Sequence, residues 1–165
     1  MKRLVTILAL SALAAGCGGT TTATKKAIQP ATKNNEIAQF GHVKSLERKG
    51  GGYELRFDPA LMLSGQTANV AAAEDGAVPA GQPVPNDNYV VDEGHRLLTY
   101  EVPANAHVTV LTKGVTGSPI SVAELAQLVR GENPFGKPLF EPIATGFWIR
   151  VHVDTVRSLD QQYHP

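Results

Sequence analysis

The chain has 165 residues, with 15 Lys and Arg against 15 Asp and Glu, and a single cysteine. That length suggests one domain, and a lone cysteine excludes an internal disulfide. Balanced charge without a basic run excludes nucleic acid as a partner held through its phosphates.

Lys2 and Arg3 precede an apolar stretch, Leu4 to Ala15, that is too short to span a bilayer and closes on Ala14-Ala15-Gly16-Cys17. This is the layout of an export signal. With cysteine directly after Ala-Ala-Gly, it resembles a bacterial lipoprotein signal. The resemblance implies a signal peptide over 1–16, lipid on Cys17, and an exported protein anchored outside the cytoplasm by its N-terminal lipid. An ordinary secretory signal cut near Ala15 or Gly16, leaving a free thiol, is the alternative. Residues 17–35 are rich in Thr, Lys and Ala. They hold too little apolar surface to offset ordering entropy, and so are expected to form a tether reaching about 25 Å. No second apolar run approaches the ~20 residues of a membrane span. The globular domain is placed at 36–165.

Within it, Phe40 to Leu46 reads as a first strand and Gly50-Gly51-Gly52 as a turn. Tyr53, Leu55 and Phe57 then alternate with Glu54, Arg56 and Asp58, which marks a half-buried strand. Asp58-Pro59 is suited to start a short helical turn through Leu63. A helix is expected from Ser64, with Ala68, Ala71 and Ala72 at helical spacing and Gly76 as its stop. Residues 77–88 carry three prolines and a glycine and read as a long loop, a feature that is often functional.

Strands resume at Tyr89. Leu97–Val102 and His107–Thr112 flank a turn at Pro103-Ala104-Asn105-Ala106. Ser121-Val122-Ala123-Glu124 has the spacing of a capping box, with Ile120 and Leu125 placed for a hydrophobic staple. Gly131 ends that helix, and 132–145 is another Gly/Pro loop. In the next strand Phe147, Ile149, Val151 and Val153 share a face. A last strand passes through Val156 and Leu159.

The order of elements is hairpin, insertion, two strands, capped helix and closing hairpin. It predicts a mainly β domain with two or three short helices, a small OB-like β-barrel with a helical and loop insertion. An α+β antiparallel sheet is the alternative.

Candidate sites are few. Asp75, Asn86, Asp87 and Tyr89 gather oxygen ligands near the long loop, but without EF-hand spacing. Turn chemistry explains them as well, so no metal is expected. The histidines show no zinc-type pairing, and no Gly-x-Ser-x-Gly elbow supports a nucleophile. No cofactor and no catalytic residue is assigned. Trp148, opposite the apolar face of its strand, is a candidate binding residue.

Leu63-Ser64-Gly65-x-x-Ala68-x-x-Ala71-Ala72-x-Glu74-Asp75-Gly76, then Val84-Pro85-Asn86-Asp87-x-Tyr89-Val90 and the ending Phe147-Trp148-Ile149 to Gln161-Gln162-Tyr163, is similar to a group of bacterial envelope lipoproteins. The resemblance imports no activity. The expected function is a non-enzymatic binding module anchored to the membrane through lipid on Cys17, with an envelope protein or a wall polymer as partner. A small hydrolase using Asp and His in the 75–95 region, and a structural or inhibitory envelope protein, are the alternatives.

Overall fold

The computed structural model describes residues 35–92, 94 and 96–164. The expected signal peptide, Cys17, most of the tether and His95 lie outside the described residues.

Five strands close a barrel around one apolar core. β1 (Ile37–Lys49) and β2 (Gly52–Ser64) form a long antiparallel hairpin. β2 also pairs with β4 (Leu98–Pro103). β1 pairs on its other side with β7 (Phe147–His152), which pairs with β8 (Thr155–Gln161). A parallel contact between β4 and β8 completes the ring, where the Glu101 amide donates to the Asp154 carbonyl at 2.9 Å. A bulge in β1 between Val43 and Ser45 shifts its register against β2, and such bulges bend strands enough for a sheet to close on itself.

β5 (His107–Val110) runs parallel to β8 beyond β4. The turn at 103–106, closed by the Ala106 amide on the Pro103 carbonyl at 2.9 Å, therefore offsets the chain without reversing it. A short strand, β6 (Ser118–Ile120), pairs with β5. Helix α2 (Val122–Val129) follows before β7, which puts it between the third and fourth barrel strands. This is the OB-like arrangement: mainly β, with a helical insertion between β2 and β4. Phe57, Phe147, Leu55, Ile149 and Leu159 fill the barrel, and α2 contributes Val122, Leu125, Ala126 and Leu128.

The capping box at α2 is complete. The Glu124 amide donates to the Ser121 hydroxyl at 3.2 Å, and the Ser121 amide donates to the Glu124 carboxylate at 2.7 Å. Helix α1 (Gly65–Glu74) begins after Ser64 as the sequence indicates, although the Ser64 side chain makes no capping bond. With β3 (Asn88–Val91), paired to the end of β2, it builds the insertion around a small core of Ala68, Ala72 and Val84.

Two local readings are corrected. No helical turn starts at Asp58-Pro59, because β2 continues through both residues to Ser64. Asp58 bonds Lys44 at 2.9 Å instead of capping a helix, and Pro59 pairs with Gly41. An added Cβ at Gly41 would lie 2.1 Å from the Asp58 carbonyl oxygen. Glycine there admits the close crossing, and pairing with β1 overrides the local helix signal. Val153, placed by alternation on the apolar face, sits instead in the β7–β8 turn, 81% exposed and with φ of 43°. The two-residue hairpin Val153-Asp154 needs positive φ at both positions, and this removes Val153 from the strand.

Candidate functional site

Outward-facing residues of β2 and β4, together with the β1–β2 turn, line an open groove of about 570 Å³. Its walls include Lys49, Gly51, Glu54, Glu101, Pro103 and Asn105. Tyr53, Leu55, Tyr100 and Val102 point into the core, so the residues between them face out. Glu54 stands opposite Glu101 across the β2–β4 ladder, and opposite Glu47 across β1–β2. Lys49 forms an ion pair with Glu54. The hydrogen bond to Glu54, reinforced by its charge and by that of Glu101, holds the Lys49 ammonium above its ordinary pKa.

The turn residues at 50–51 and the strained β7–β8 turn belong to the two connections that flank the ligand face in OB-like barrels, beside the second and third barrel strands. Val153 is a β-branched residue at positive φ, a conformation such residues rarely adopt. Its neighbour Asp154 bonds the Glu101 amide directly, which ties this turn to the strand carrying the groove carboxylate.

The site residues expected from the sequence fall in two places. Asp75 and Tyr89 come together, the Tyr89 hydroxyl donating to the Asp75 carboxylate at 3.1 Å. Desolvation, then the bond to Asp75 and its charge, push the Tyr89 phenol above its ordinary pKa. Asn86 and Asp87 lie in the short 3-10 turn Pro85–Asp87 with φ of 61° and 56°, and the Asn88 side chain donates to the Asn86 carbonyl at 2.9 Å. These bonds stabilise the loop locally, as Asx residues do in turns. Trp148 belongs to another group on β7, where its indole N–H donates to the Gln162 side chain at 3.0 Å and its ring lies 5.4 Å from Phe40. Among the described residues, no three His, Cys, Asp or Glu side chains are placed to hold a metal ion. The described histidines lie on β1, β5 and β7 and in the final residues, on elements other than those that carry Asp75 and Asp87.

Sequence reasoning did not single out Glu54, Glu101, Lys49 or Asn105. Alternation put Glu54 on the polar face of a strand. The pairing that sets it against Glu101 joins segments 47 positions apart and leaves no local signal.

The chain matches no protein-family model, no curated protein and no solved structure. Its class is therefore set by its architecture, an OB-like barrel with a helical insertion and an open, carboxylate-lined groove on the β2–β4 face. Among the described residues no helix is long and apolar enough to cross a membrane.

Proposed function

We propose that this protein is an exported envelope lipoprotein, anchored by lipid on Cys17, whose OB-like domain is a non-enzymatic binding module. The observation that carries the reading is the groove beside Glu54 and Glu101, on the barrel face where this architecture takes extended ligands. Ionised carboxylates only accept hydrogen bonds. A lining that sets them beside Asn105 and the Lys49 ammonium offers both acceptors and donors to a polymer rich in hydroxyl groups. A wall polymer fits this chemistry, and an envelope protein is the other partner class. Within the insertion Asp75 is bonded by the Tyr89 hydroxyl.

The test is sedimentation of residues 36–165 with insoluble cell-wall material, beside capture from solubilised envelope proteins. Co-sedimentation that saturates with protein concentration supports wall-polymer binding. Capture of a discrete envelope protein without co-sedimentation moves the partner to the protein class. Failure of both contradicts the binding reading.

A further inference from the structure

Phe40 is 3% exposed, yet it does not belong to the barrel core. It pairs across the β1–β7 ladder with Trp148, which alternates with the inward Phe147 and Ile149 and so lies on the outside of the barrel. Phe40 is covered there by Trp148, by the His42 ring edge-on at 6.0 Å and by the His164 ring at 6.5 Å. Gly146 completes the cover, since a Cβ at that position would sit 2.6 Å from the Phe40 ring. We propose that residues 162–164 form a strap that opens by local unfolding and uncovers an aromatic surface made by Phe40 and Trp148.

The boundary of the strap is set by Gln161. Its buried side chain accepts from the Leu111 amide at 2.8 Å and donates to the Pro142 carbonyl at 2.9 Å. These bonds pin the end of β8 to two distant loops, so opening stops there. Beyond Gln161 the attachments run to residues 145–148, Phe140 and Phe40. The Gln162 amide donates to the Gly146 carbonyl at 3.0 Å. The Thr145 hydroxyl reaches the Gln162 carbonyl at 3.2 Å, and the Trp148 indole reaches the Gln162 side chain. Tyr163 adds a ring contact with Phe140 at 5.9 Å.

Closing the strap also buries the His164 Nε2 with no hydrogen-bond partner among the described residues. A buried polar atom without a partner opposes the state that buries it. The closed strap thus contains its own destabilising element. Short segments beyond the last barrel strand can open without the whole domain unfolding.

The experiment is amide hydrogen exchange on the detergent-solubilised full chain, read together with acrylamide quenching of Trp148, the single tryptophan of the chain. The Gln162 amide should exchange on the order of a hundredfold faster than the Leu159 amide of β8, because it opens without the barrel. His164→Phe replaces the unpartnered nitrogen with an apolar ring and should slow Gln162 exchange and reduce Trp148 quenching. Gln162→Ala should raise quenching while the melting transition of the barrel persists. The proposal is overturned by Gln162 exchanging only in step with Leu159, or by His164→Phe leaving both readouts unchanged.

Discussion

Glu54 on β2 and Glu101 on β4 stand directly opposite each other on the outer face of the barrel. Like charges in such cross-strand pairs are destabilising, and among the described residues the ion pair of Lys49 is with Glu54. Glu101→Gln is therefore expected to stabilise the domain by about 0.2–1 kcal/mol, measured as a higher denaturant midpoint. Retaining a pair that opposes folding fits a face used for recognition, since functional sites commonly trade away stability. An unchanged or lower midpoint would mean that the pair is already neutralised.

The β7–β8 turn stores strain of a different kind. Val153 occupies φ of 43° while 81% exposed. A non-glycine residue in this region costs about 1–3 kcal/mol, and Asn tolerates it better than a β-branched side chain. Val153→Asn should raise stability by about 1 kcal/mol, again read from the denaturant midpoint. A loss of stability would place the side chain in a contact that outweighs the strain.

The capping box of α2 gives a pH-dependent prediction. The Ser121 amide and hydroxyl both donate to the Glu124 carboxylate, and these bonds hold its pKa below the ordinary value. A carboxyl depressed in the folded state adds stability that is present above its unfolded pKa. That stability is lost as pH falls through the folded value. Ser121→Ala should cost about 1 kcal/mol at neutral pH, and less in acid, where wild type has already lost the charged half of the box. Equal losses at neutral and acid pH would contradict this coupling.

The anchor is tested at its only possible atom. Cys17 is the single thiol of the chain, so Cys17→Ser should abolish incorporation of labelled fatty acid and reduce the membrane-bound fraction. Equal labelling and equal fractionation of the two forms would remove the lipoprotein reading.

Local signals carried much of the fold. The Ser121-x-x-Glu124 spacing, the helix start after Ser64 and the alternation from Tyr53 to Phe57 each depend on neighbours within a few residues, and each is found in the structure, whereas Asp58, expected on the polar face, is buried. The order of elements was enough to indicate an OB-like barrel. Partners far along the chain were not legible. Asp58-Pro59 looks like a helix start until β1 pairs with it through Gly41. Phe40 reads as an ordinary strand residue until Trp148 and the C-terminal residues cover it from outside. Asp75 and Tyr89, 14 positions apart, meet through a hydrogen bond from the Tyr89 hydroxyl. The groove required knowing that Glu54, Glu101 and the turn after Lys49 share one face.

The central claim is that the β2–β4 groove binds the envelope partner. It is tested most directly by quantitative co-sedimentation of residues 36–165 with insoluble cell-wall material, comparing wild type with Glu101→Lys and with Glu132→Lys, which changes an exposed charge absent from the groove lining. The account predicts that Glu101→Lys weakens binding about tenfold, equivalent to about 1.4 kcal/mol, while Glu132→Lys binds as wild type does. Equal binding by all three proteins would contradict it.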